Sequence, residues 1–97
     1  MKKINITITG ALGKMGKILI KRLSKKKNLK LISLTDLKSG KNINGIKIEK
    51  NNLEAFKKTD VIIDFSRPKS SLEILNYAEK LKKKVVIGTT EIGRAHV

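Results

Sequence analysis

Between Ile4 and Leu23 the chain changes its period once, and glycines stand at the change. Ile4, Ile6 and Ile8 alternate with Asn5, Thr7 and Thr9, the two-residue repeat of a β-strand. From Lys14 onward Met15, Ile18, Leu19 and Leu23 fall on one helical face, with lysines opposite. Between the two patterns runs Gly10-Ala11-Leu12-Gly13-Lys14-Met15-Gly16, with glycine at every third position. A strand that turns tightly into a helix is the opening unit of an α/β chain.

The remaining segments repeat that alternation. Leu29 to Thr35 reads as a second strand closed by Asp36, and Lys38 to Gly45 as a polar loop. Ile46 to Glu49 reads as a short strand and Asn51 to Lys57 as a short helix. Asp60 to Phe65 is almost continuously apolar, as in a parallel strand buried on both faces. Pro68 suits the first turn of a helix, where its missing N–H costs nothing. Leu72, Leu75, Ala78 and Leu81 continue a helical stripe, and Lys84 to Gly88 is another buried strand. The expected fold is α/β, a Rossmann-like, doubly wound parallel sheet.

Composition narrows the function classes. There is no cysteine and a single histidine, His96, so a thiolate or histidine metal centre is not expected. No apolar run approaches the ~18 residues of a membrane span, and MKKINITIT lacks the apolar core of a secretory signal. A cytoplasmic protein with no membrane partner is expected. The net charge of +15 raises the question of a polyanion partner. Its lysines, however, are scattered in runs such as Lys25-Lys26-Lys27 and Lys82-Lys83-Lys84, and Phe56, Phe65 and Tyr77 are the only aromatics. That is too few for a base-stacking platform, so no nucleic-acid partner is expected.

The glycine loop is a candidate anion site. The first turn of a helix carries unpaired N–H groups and the positive end of the macrodipole. Gly10 would make the turn, Gly13 would lie under a phosphate, and Gly16 would let the helix pack on the strand. The spacing is G-x-x-G-x-x-G, with Leu12 where the common dinucleotide fingerprint has its second glycine. The phosphate loop of nucleotide triphosphatases fits worse. Five residues rather than four separate Gly10 from Gly16-Lys17, and Ile18 replaces the magnesium-binding hydroxyl. Asp36 ends the second strand 20 residues beyond Gly16, where an acid would accept hydrogen bonds from an adenosine ribose.

Three stretches, GALGKMG, VIIDFSRP and VVIGTT, taken in that order, resemble the nucleotide-binding domain of one family. This is the 4-hydroxy-tetrahydrodipicolinate (dihydrodipicolinate) reductase family of bacterial lysine and diaminopimelate synthesis. The resemblance implies NADH or NADPH as cofactor and a small-molecule substrate reduced by hydride transfer. It implies that Gly10, Ala11, Leu12, Gly13, Lys14, Met15 and Gly16 wrap the pyrophosphate and that Asp36 holds the ribose. Phe65, Ser66 and Arg67 would line the cleft, and Gly88, Thr89 and Thr90 would border the nicotinamide. The family's substrate-holding and proton-donating residues belong to a second domain, so no catalytic residue is expected here. A homotetramer is implied for the whole enzyme. Lys14 replaces the usual Arg and Ser66 the usual Thr, and Leu37 stands where relatives that favour NADPH often carry Arg.

Residues 91–97, EIGRAHV, read as the translation of a common sequencing adapter and are set apart. The expectation is a dinucleotide-binding domain over residues 1–90, truncated before the substrate domain and inactive alone. Two other readings stand beside it. One is a piece of another Rossmann dehydrogenase, of homoserine or aspartate type, against which DFSRP and GTT speak. The other is a non-enzymatic nucleotide-binding module.

Overall fold

The structure is a computed structural model and describes residues 3–88; Thr89, Thr90 and residues 91–97 lie outside them. Its elements follow the expected order. They are β1 (Ile4–Thr9), α1 (Lys14–Leu23), β2 (Leu29–Asp36), β3 (Asn42–Ile43), β4 (Ile46–Lys50), α2 (Leu53–Lys57), β5 (Val61–Asp64), α3 (Pro68–Leu81) and β6 (Lys84–Ile87). One sheet carries all six strands in the order β3-β4-β2-β1-β5-β6. The pairs β1–β2, β1–β5, β2–β4 and β5–β6 are parallel.

The expected all-parallel sheet needs one correction. β3 pairs antiparallel with β4, inside the stretch read as a polar loop. Asn44 and Gly45 join them with φ of 53° and 79°. Positive φ at both central residues is the two-residue hairpin turn that matches strand twist, and Asn-Gly is its preferred sequence.

Helices cover both faces. Ile6, Ile8, Leu34 and Ile48 pack with Ile20 of α1 on one side. Ile62 packs with Phe56 of α2 and with Ile74 and Ala78 of α3 on the other. Thr7 and Thr9 of β1 are therefore as buried as Ile8 between them. Their hydroxyls are satisfied locally. Thr7 Oγ1 and Ser33 Oγ share a hydrogen bond of 2.6 Å, and Ser33 Oγ donates to the Ala55 carbonyl at 2.9 Å. A buried hydroxyl without such a partner would cost about 1–3 kcal/mol.

Each long helix turns only part of its apolar stripe inward: Leu19 and Leu23 of α1 and Ala78 and Leu81 of α3 pack against the core. In α1 Gly16 and Ile20 are buried, while Met15 and Ile18 are half exposed. The cause is Gly16: a Cβ there would lie 2.5 Å from the Gly10 carbonyl oxygen, so the helix approaches along that line. In α3 Ser71, Ile74 and Ala78 are buried, while Leu72 and Leu75 are exposed. Ser71 holds the inner face because its hydroxyl donates to the buried Asp64. The lysine runs Lys25 to Lys27 and Lys57-Lys58 stand just before β2 and β5, and Lys82 to Lys84 leads into β6, at the entry end of the sheet.

Candidate dinucleotide cleft

The carboxyl ends of β1, β2 and β5 meet where the connections diverge to opposite faces, and open α/β sheets place ligands there. β1 ends at Thr9, and Gly10 takes φ +71°, a conformation other residues resist. Space forbids a side chain there as well. A Cβ on Gly10 would lie 2.7 Å from the Phe65 carbonyl carbon and oxygen and 2.8 Å from the Ser66 nitrogen. Gly16 is required by its contact with the Gly10 carbonyl. These two glycines have the turn and packing roles expected of them.

Gly13 differs. It is the N-cap of α1, with φ −76°, and a Cβ would meet only the Gly10 oxygen, at 3.4 Å. Nothing inside the chain demands glycine there. No side chain caps α1, and its first turn holds no acid. Gly13 itself lines a concavity, and the first turn of a helix offers unpaired N–H groups to an anion. That geometry fits a pyrophosphate.

Asp36 is fastened to this loop. The Leu12 N–H donates to Asp36 Oδ2 at 2.8 Å, and the Leu37 N–H donates to Oδ1 at 2.7 Å. The Ala11 N–H donates to the Thr35 carbonyl at 3.1 Å. Each carboxylate oxygen keeps a further acceptor site. The chemistry of a ribose diol therefore fits the acid as it stands.

A cleft of about 450 Å³ joins these pieces. Gly10, Leu12 and Gly13 form one wall, and Asp36, Leu37 and Lys38 the next. Phe65, Ser66, Arg67 and Ser70 close it. Of the expected residues, Ala11 and Gly16 are buried beneath the loop. Lys14 and Met15 are exposed on the first turn of α1 and are not among the lining residues. Gly88 stands behind Phe65, whose ring a Cβ on Gly88 would strike. Thr89 and Thr90 fall outside the described residues.

Sequence reasoning missed Ser70 and above all Asp64, whereas Lys38, a candidate cation beside Asp36, does line the cleft. Asp64 is fully buried, and Thr9 Oγ1 donates to its Oδ1 at 2.5 Å. The Ser66 N–H donates to Oδ1 at 2.8 Å, as does the Ser66 hydroxyl, and the Ser71 hydroxyl donates to Oδ2. The available signal was an acid closing an otherwise apolar strand run, with serines two and seven residues on. Among the described residues no group of three or more acids or histidines could hold a metal ion. No helix among them is long and apolar enough to cross a membrane.

The family described as "Dihydrodipicolinate reductase, N-terminus" matches residues 4–96. The 4-hydroxy-tetrahydrodipicolinate reductase of Pelagibacter ubique is 57% identical over 91 residues, covering 93% of this chain and 35% of that protein. The chain thus spans about a third of that relative's length. Among solved structures, the dipicolinate-bound dihydrodipicolinate reductase of Paenisporosarcina sp. TG-14 matches with a TM-score of 0.75. Identity to it is 24%, over 90% of this chain and 37% of the other. The NADP complex of aspartate semialdehyde dehydrogenase from Candida albicans matches with a TM-score of 0.74 at 15% identity, over 93% of this chain and 30% of the other. These two structural likenesses are of fold. The family match, spanning nearly the whole chain, makes this protein a member of the dihydrodipicolinate reductase family, in the region described as its N-terminus.

Proposed function

We propose that residues 1–90 are the dinucleotide-binding part of a cytoplasmic 4-hydroxy-tetrahydrodipicolinate reductase, which binds NADH or NADPH and reduces a small cyclic substrate. One observation carries the reading: the acid that ends β2 is hydrogen-bonded to the glycine loop that ends β1, at the edge of a cleft. Gly10 to Gly16 and the first-turn N–H groups of α1 would receive the pyrophosphate. Asp36 would accept the ribose hydroxyls. Gly88, Thr89 and Thr90 would border the nicotinamide, as in the family pattern. When bound, the cofactor supplies a hydride; the protein's share is binding and orientation.

Substrate capture and proton donation are assigned to a second domain, and the whole enzyme is proposed to be a homotetramer. The 97-residue chain alone is expected to have no reductase activity. Exposed Leu72, Leu75 and Val86 support a further layer of chain over α3 and β6. The cofactor preference proposed is NADH, or both. Asp36 carries its charge where a 2′-phosphate would sit, and Leu37 supplies no guanidinium. Lys38 lines the same cleft and offers a point charge without a bidentate fork.

Calorimetric titration of the protein with NADH and NADPH tests this reading. Saturable binding abolished by Gly13→Val is the expected result. Absence of binding to the wild-type protein would sink it.

A further inference from the structure

Asp64 does not line the cleft, yet its side chain ties together three elements that do or that lead into it. Thr9 is the last residue of β1, immediately before the glycine loop. Ser66 lies in the wall opposite that loop. Ser71 belongs to α3, one residue beyond Ser70, which also lines the wall. All three donate to one carboxylate, with Thr9 and Ser66 on Oδ1 and Ser71 on Oδ2. The acid and its three partners are at least nine-tenths buried.

This arrangement replaces an ordinary helix cap. The N-cap of α3 is Arg67, with no side-chain capping bond, and its first turn holds no acid. Asp64 supplies the missing negative charge from the preceding strand, beside the positive end of α3. It also draws the Ser66 N–H inward. The Phe65–Ser66 peptide then lies against Gly10, at the distance that excludes a Cβ there. The backbone repeats the link: the Phe65 N–H donates to the Thr9 carbonyl at 3.1 Å.

We propose that Asp64, acting through Ser66 and Ser71, is a positioning residue for the cofactor cleft. It sets how far the wall from Phe65 to Ser70 stands from the glycine loop, and so how tightly a dinucleotide is held. The affinity clause rests on the dinucleotide reading above; the positioning clause does not. A carboxylate with four donors suits the task because they come from three different segments, and a charged acceptor strengthens each bond.

The test uses Ser71→Ala and Ser71→Thr in the full-length protein. Two readouts are taken well below the melting temperature: the Kd for NADH, and hydrogen–deuterium exchange without ligand over residues 9–13 and 64–71. Ser71→Ala is expected to weaken NADH binding about tenfold, as loss of one hydrogen bond to a charged group implies, and to speed exchange in both segments. Ser71→Thr, which keeps the hydroxyl, is expected to restore both. Lowered melting temperature with unchanged Kd and unchanged exchange in residues 9–13 would make Asp64 a stability residue only and overturn the proposal. Exchange confined to residues 64–71 would overturn it too. If wild-type protein binds no dinucleotide, the functional reading and the affinity clause fall together, and exchange in residues 9–13 still decides the positioning.

Discussion

Asp36 accepts the backbone N–H of Leu12 at 2.8 Å, so the acid of the second strand and the glycine loop of the first form one unit. Neither half needs a ligand to find its place. The carboxylate orients the loop, and the loop returns one fixed donor to the carboxylate. A site assembled in advance loses less entropy when it binds.

Asp36→Ala therefore removes a loop brace and, on the proposed function, a ribose acceptor. Hydrogen bonds to a charged group are worth about 1.5–3 kcal/mol each. The Kd for NADH is expected to rise about 10- to 100-fold, by the relation between free energy and Kd. Calorimetry gives the answer directly. A change under threefold would show that Asp36 holds neither loop nor ribose.

Gly13 and Gly16 separate ligand space from protein space. Gly16→Ala drives a Cβ to 2.5 Å from the Gly10 oxygen and 3.0 Å from the Ala11 Cα. Both neighbours are backbone and cannot yield cheaply, so a loss of about 1–3 kcal/mol in stability is expected. Gly13→Ala meets only an ordinary contact and is expected to cost about 1 kcal/mol or less. Cofactor affinity should nonetheless drop in Gly13→Ala. Equal melting temperatures for the two variants, or unimpaired binding by Gly13→Ala, would contradict the assignment.

The order of strands and helices was legible because buried parallel strands and helical stripes have distinct periods. The glycine loop and Asp36 were legible because backbone geometry restricts which residues can stand there. The inward faces of α1 and α3 were legible only in part, through Leu19, Leu23, Ala78 and Leu81. The same stripes also point to the exposed Met15, Ile18, Leu72 and Leu75, because closest approach is set by a glycine in one helix and a serine in the other. Neither looks like core in a hydropathy pattern. Asp64 escaped for a related reason: its partner Thr9 is 55 residues away, and only the fold brings them together. The β3–β4 hairpin had its signal, Asn44-Gly45 between two isoleucines, but a two-residue strand is too short to show alternation.

That hairpin gives a prediction for stability without function. Gly45 has φ +79°, and a Cβ there would meet nothing within 4 Å. Gly45→Ala therefore carries conformational strain alone, about 1–2 kcal/mol. Thermal melting is expected about 4–8 °C lower per kcal/mol in a domain of this size. NADH affinity measured well below that transition should stay within twofold of wild type. A larger loss of affinity would mean that the hairpin reaches the cleft.

Leu37 is where cofactor choice can be shifted. It is 60% exposed and lines the cleft next to Asp36. A 2′-phosphate placed there meets the Asp36 carboxylate and, at best, the Lys38 ammonium. Leu37→Arg adds a planar fork that can take two phosphate oxygens at once, which a lysine cannot do. One charge-assisted contact of that kind is worth about 1.5–3 kcal/mol. The NADPH Kd is expected to fall at least tenfold while the NADH Kd stays within about threefold, by the same conversion. Raising the salt concentration should erode the gain, because a surface guanidinium is screened over roughly 8–10 Å. If Leu37→Arg leaves the ratio of the two Kd values unchanged, the 2′ position does not lie beside Leu37. The adenosine end of the cofactor would then have to occupy another part of the cleft.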